Sequence, residues 1–95
     1  MGMIIVKVFA TYRRILNNQK EIQLDVPTPM STRRALDTIF TDYPALQPEI
    51  LDDEGQVLPH VSVFVSGRDI RHKQGLDTPL QEGEVLSLFP PVAGG

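Results

Sequence analysis

The sequence predicts one α+β domain of two layers, a sheet of four to five strands with one main helix packed on a single face. Three observations predict it. Residues Glu21-Ile22-Gln23-Leu24-Asp25-Val26 alternate strictly between polar and apolar, the period of a half-buried strand. From Ser31 the period lengthens, and Ala35, Leu36, Ile39, Phe40 and Tyr43 fall on one face of a helix. Short apolar runs then return at residues 61–65 and 85–89. Strands before and after one amphipathic helix bury it only if the strands form a sheet and the helix lies across it.

Each element follows from local chemistry. Residues 3–10 (Met3-Ile4-Ile5-Val6-Lys7-Val8-Phe9-Ala10) are rich in β-branched side chains and read as a well-buried first strand. Asn17-Asn18-Gln19 is a turn, so the first two strands form a hairpin with Ile22, Leu24 and Val26 on its buried face. Pro27 and Pro29 stop the second strand. Ser31 is placed to cap the helix, and Pro44 ends it near Tyr43. Arg33 and Arg34 in its first turn oppose the helix dipole, at a cost of a few tenths of a kcal/mol.

Residues 44–59 read as loop, with Asp52-Asp53-Glu54-Gly55 as an exposed acidic turn. The spacing of a calcium-binding EF-hand is absent there. Residues 61–65 form a third strand, Ser66-Gly67-Arg68-Asp69 a tight turn, and a short extra strand is expected near Ile70. Gly75 and Gly83 mark further turns before the last strand.

That last strand carries the functional signal. Val85-Leu86-Ser87-Leu88-Phe89 is followed by Pro90-Pro91-Val92-Ala93-Gly94-Gly95. Proline has no N–H for a ladder, so pairing stops at Phe89 and the rest is expected to leave the domain as an arm. A final glycine pair has two readings, a frayed end or a carboxylate shaped to pass through a narrow slot, since glycine has no Cβ. No charged or serine-rich linker separates this tail from the strand. The expected organisation is a domain over residues 1–89 and a flexible tail over residues 90–95.

Composition removes other classes. Ninety-five residues suffice for one core and not two, and 41% hydrophobic with 22% charged residues is ordinary for a soluble domain. Neither a membrane-spanning run nor a signal peptide is legible, and Val6 stands where a myristoylation signal following Gly2 needs Ser or Thr. A cytoplasmic location is the expectation. The absence of cysteine excludes disulfides, a thiolate nucleophile and cysteine-ligated metal. Net charge is −3, and Arg13-Arg14, Arg33-Arg34 and Arg68, Arg71 and Lys73 are scattered, unlike the stripe that nucleic acid requires. His60 and His72 stand beside turns without a triad or ligand spacing, and no phosphate-binding glycine loop is present. No catalytic residue and no metal site are expected.

The order of elements, with the ending Leu88-Phe89-Pro90-Pro91-Val92-Ala93-Gly94-Gly95, resembles the MoaD/ThiS family of sulfur carriers over essentially the whole chain. The resemblance includes Val8-Phe9-Ala10 leading to Arg13, the helix closing at Tyr43-Pro44, and the run from Val63 to Arg71. It continues through Gly75-Leu76-Asp77-Thr78-Pro79-Leu80 and Gly83-Glu84-Val85. Many members carry Asn in place of Ser66 and Asp in place of Glu84.

The resemblance implies the ubiquitin-like β-grasp fold, a mixed sheet gripping one helix. It also implies that an adenylating enzyme of the MoeB/ThiF kind spends ATP on the carboxylate of Gly95, which then becomes a thiocarboxylate. Gly94 would allow passage, and Phe89, Pro90, Pro91, Val92 and Ala93 would form the docking stem, beside an exposed apolar patch around the last strand. The carrier itself would hold no stable cofactor and act only with a catalytic partner. The ending is most similar to the small subunit of molybdopterin synthase, whose acceptor is a MoaE-like large subunit. A CysO-type carrier for cysteine synthesis, a ubiquitin-like modifier attached through Gly95, and an interaction domain with an inert tail remain open alternatives.

Overall fold

The computed structural model describes residues 2–91. The chain opens with β1 (Gly2–Val8), a single helical turn α1 (Tyr12–Ile15) and β2 (Glu21–Val26). β1 and β2 pair antiparallel, in register from Gly2 opposite Val26 to Lys7 opposite Glu21. The first strand ends two residues earlier than its composition suggests, because Ala10 takes a φ of 54° and turns the chain out of the sheet. Asn17 and Asn18 (φ 58° and 66°) turn it back, a conformation that Asn tolerates better than most residues. Between them Tyr12 and Leu16, four residues apart, are both buried.

A two-residue strand β3 (Met30–Ser31) leads into the main helix α2 (Thr32–Asp42). Ser31 caps it, its hydroxyl accepting the Arg34 amide at 3.2 Å. The face anticipated from sequence is the buried one: Ala35, Leu36, Ile39 and Phe40 pack inward, joined by Thr32. The Thr32 hydroxyl is fully buried and donates to the carbonyl of Thr78 at 2.8 Å, so its burial leaves nothing unpaired. Arg33 has a partner too, donating to the carbonyl of Gly55 at 3.1 Å.

Residues 44–59 are not simply loop. A 3₁₀ turn over Pro44–Leu46 runs into the short helix α3 (Gln47–Ile50), and Leu46, Ile50 and Leu51 enter the core. Pro44 and Pro48 stand in first-turn positions, where a missing N–H costs nothing. The acidic turn is shaped by Asp52, whose carboxylate accepts the amides of Glu54 and Gln56 at 2.8 and 3.0 Å. Among the described residues, no group of three His, Asp or Glu side chains is placed to hold a metal.

The remaining strands are β4 (Ser62–Val65), β5 (Arg68–Asp69), β6 (Pro79–Leu80) and β7 (Val85–Phe89). The short extra strand is therefore Arg68–Asp69, with Ile70 opening a 3₁₀ turn just beyond it. Ser66 and Gly67 both have positive φ (49° and 86°), as the tight turn of a two-residue hairpin requires.

The sheet runs β2-β1-β7-β4-β5, while β3 and β6 form a small pair of their own. β1 and β7 are parallel and the other neighbours antiparallel, so the sheet is mixed. A parallel pair needs a crossover, which β2, α2 and β4 supply. Ile4, Val6, Val8, Val63, Val65, Leu86 and Leu88 of the central strands share one buried core with Leu36 and Ile39 of α2. Each such burial contributes about 1.5–3 kcal/mol before entropy is counted. A mixed five-stranded sheet with one helix across one face is the β-grasp arrangement.

Candidate functional site

Side chains alternate across a strand, so with Leu86 and Leu88 buried, Val85, Ser87 and Phe89 must face away from the helix. The same parity turns Phe64 outward between buried Val63 and Val65, and Ile5 outward between buried Ile4 and Val6. Register places Ile5 beside Val85, Phe64 beside Ser87, and Ser62 beside Phe89. The open face of the sheet thus carries an apolar surface around its last strand. All four of Ile5, Phe64, Val85 and Phe89 are half-buried, so the patch is partly covered by its own side chains.

Three aromatic rings organise its end. Phe89 stacks on Phe9 with centroids 4.3 Å apart and planes 11° from parallel. Phe64 meets Phe89 edge-on at 5.4 Å and 68°. Such pairs add about 0.5–1.5 kcal/mol beyond area burial. Arg13 lies against the cluster, its guanidinium carbon 5.4 Å from the centre of the Phe9 ring. Its Nε donates to the carbonyl of Val8 at 3.0 Å, which fixes the side chain across the end of β1.

Arg13 rides on α1, and α1 is anchored by its neighbour Tyr12. The Tyr12 hydroxyl donates to the carbonyl of Glu49 at 3.0 Å, tying α1 to α3. Burial pushes the Tyr12 phenol up to about 12, and the Glu49 carboxylate adds to the effect. Tyr12 is a support for the site and not a proton donor near neutral pH.

Of the residues singled out from sequence, Phe89 ends β7 inside the aromatic cluster, Pro90 is half-buried beside it, and Pro91 is exposed. Val92, Ala93, Gly94 and Gly95 lie outside the described residues. Sequence reasoning gave no role to Phe9, Phe64 or Arg13. The signal was present in strand parity, since Phe64 is a large aromatic at an outward position between two buried valines. The acidic turn and both histidines lie elsewhere: His60 and His72 are exposed and outside the aromatic cluster.

The β-grasp fold and the likeness to known proteins place the chain among the ubiquitin-like carriers and modifiers. The chain belongs to the ThiS family, whose model matches residues 6–95. It is 37% identical to small archaeal modifier protein 3 of Haloferax volcanii over 94% of this chain and 95% of that protein. The crystal structure of small archaeal modifier protein 1 from the same organism superposes with a TM-score of 0.85 at 29% identity, covering 99% of this chain and 100% of the other. The sulfur carrier protein CysO of Mycobacterium tuberculosis is 29% identical over 57% of this chain and 60% of its own length. Among the described residues, no helix is long and apolar enough to cross a membrane.

Proposed function

We propose that this protein is a carrier activated at the carboxylate of Gly95, and that its activated end is transferred to other proteins as a modifier. The observation that carries the reading is the aromatic cluster of Phe9, Phe64 and Phe89 at the point where β7 ends, next to the segment Pro90-Pro91-Val92-Ala93-Gly94-Gly95. The cluster docks on an adenylating enzyme of the MoeB/ThiF kind. The six residues beyond Phe89 then span at most about 20 Å, enough to reach a nucleotide buried in that partner. Pro90 and Pro91 stiffen the stem and reduce the entropy lost on docking. Gly94 passes where a Cβ would collide.

The chemistry needs the partner, because a carboxylate is a poor electrophile. One oxygen of the Gly95 carboxylate attacks the α-phosphorus of ATP and pyrophosphate leaves, giving an acyl adenylate. Sulfide then attacks the carbonyl carbon, AMP leaves with the bonding pair, and loss of the sulfur-bound proton gives a thiocarboxylate. A lysine amine attacking the activated carbonyl gives an isopeptide bond instead. ATP is a substrate of the partner, and this chain contributes the docking surface and the reacting end.

The modifier branch is favoured because the relative matching this chain at 37% identity over nearly its full length is a small archaeal modifier protein. The second reading is the small subunit of molybdopterin synthase, delivering sulfur to a MoaE-like large subunit. It rests on the ending Phe89-Pro90-Pro91-Val92.

Tryptic digests of proteins captured with the tagged chain from its source cells separate the two. No Lys or Arg follows Lys73, so a modified lysine would carry residues 74–95 as a branch. Branched peptides dependent on Gly95 support modification. Their absence, with a thiocarboxylate consumed by a pterin-processing enzyme, supports the second reading.

A further inference from the structure

β2 is the edge of the sheet, and among the described residues nothing pairs with its outer side. Which backbone groups face outward follows from the ladder. The amide of Val8 donates to the carbonyl of Lys20 at 3.0 Å, and antiparallel pairs alternate strictly from there. Ile22, Leu24 and Val26, opposite Val6, Ile4 and Gly2, therefore turn their amides and carbonyls to β1. Glu21, Gln23 and Asp25 turn theirs to solvent. The parallel side agrees, since the amide of Ile5 and the carbonyl of Met3, odd-numbered like those skipped by β2, bond towards β7 at Glu84 and Gly83.

Beside this edge, a groove of about 550 Å³ opens between β2 and the end of α2. Ile22, Leu24 and Tyr43 line it. The Tyr43 hydroxyl accepts from the side-chain amide of Gln19 at 3.1 Å, which holds the ring in place. Asp42 also lines the groove, at the C-terminal end of a helix where a negative charge opposes the dipole. Glu21 and Asp25 stand on the open face of the sheet beside the same edge. Lys7 is opposite Glu21, yet among the described residues the ion pair within 4 Å is Arg71–Asp69, and none involves Glu21, Asp25 or Asp42.

We infer that the outer edge of β2 is a docking site for an extended peptide of a partner protein, one alternating basic and apolar residues. Its backbone pairs with Glu21, Gln23 and Asp25, adding a sixth strand. Its apolar side chains enter the groove against Ile22, Leu24 and Tyr43. Its basic side chains lie on the open face, where Glu21 and Asp25 supply the charge. The site is separate from the aromatic cluster, which lies on β7 and its neighbours, and the inference stands whether or not Gly95 is activated.

The test adds the peptide acetyl-Lys-Val-Lys-Val-Lys-Val-Lys-amide to the full chain at low salt and follows amide hydrogen exchange by NMR, with the Glu-for-Lys peptide as control. The basic peptide is expected to slow exchange of the Glu21, Gln23 and Asp25 amides at least tenfold, leaving the Ile22 and Leu24 amides unchanged and showing no such effect from the acidic peptide. Gln23→Pro removes an amide that β1 does not use, and is expected to weaken binding at least tenfold. If that variant fails to fold, Glu21→Lys with Asp25→Lys leaves the backbone intact and should reverse the preference towards the acidic peptide. Slowing around Phe9 and Phe89 instead, or at no amide, overturns the inference. Slowing that grows with protein concentration without peptide also overturns it, in favour of a second copy.

Discussion

The rings of Phe9 and Phe89 stack 4.3 Å apart, joining the residue that follows β1 to the residue that ends β7. These strands run parallel, so the contact closes one end of the central pair and fixes where the chain leaves the sheet. Phe89→Ala removes both the stacked ring and the edge-on partner of Phe64. The ring is only half-buried, so the stability cost is about 1–2 kcal/mol, a fall of several degrees in Tm by thermal melting. Docking should suffer more, because an aromatic anchor at the centre of an interface carries a large share of binding energy. Pyrophosphate release by the adenylating partner is expected to lose at least tenfold in kcat/KM, at temperatures where the variant is fully folded.

Ser66 offers a change in the opposite direction. It holds a φ of 49° in the turn between β4 and β5, where Ser is strained and Asn is tolerated. Its hydroxyl contacts Glu84 and the Val85 amide only at 3.5 Å, so little is lost on replacement. Ser66→Asn is expected to stabilise by about 0.5 kcal/mol, raising Tm by about 2–4 °C. Calorimetry of the two proteins checks it, and a fall in Tm would mean that the hydroxyl contacts outweigh the backbone strain.

Tyr12 gives the fold an alkaline limit. Its phenol is pushed up to about 12 by burial and by the Glu49 carboxylate, against an ordinary value near 10. The neutral form is therefore favoured by folding. That contribution is complete below pH 10 and is lost as pH rises towards 12. Tyr12→Phe gives up the hydrogen bond to the Glu49 carbonyl, worth about 1 kcal/mol at pH 7. The gap between the two proteins should shrink from pH 10 upward in urea titrations. A constant gap to pH 12 would contradict the assignment.

Much of the fold was legible because long elements write their period into the chain. The alternation of Glu21 to Val26 matches β2 residue for residue, and Ser31 caps the helix whose face was read from Ala35, Leu36, Ile39 and Phe40. Most of the short elements were not legible. β5 was expected near Ile70 from the turn before it, but α1 and α3 have four residues each, and β3 and β6 have two, too few for any period to register. They exist because tertiary partners hold them, as the Tyr12–Glu49 bond holds α1 to α3. Leu46 and Ile50 do have helical spacing, but Pro44 and Pro48 hid it by reading as loop. The candidate site was half legible. Phe89 was named from its place before the prolines, whereas Phe9 and Phe64 became partners only through register between strands distant in sequence.

The most direct test of the central claim is the intact mass of the chain after incubation with an adenylating enzyme, ATP and a sulfide source. The account expects an ATP-dependent gain equal to exchanging one oxygen for sulfur, confined to the C-terminal peptide and absent when Gly95 is deleted. An unchanged mass with every adenylating enzyme of the source organism would contradict it.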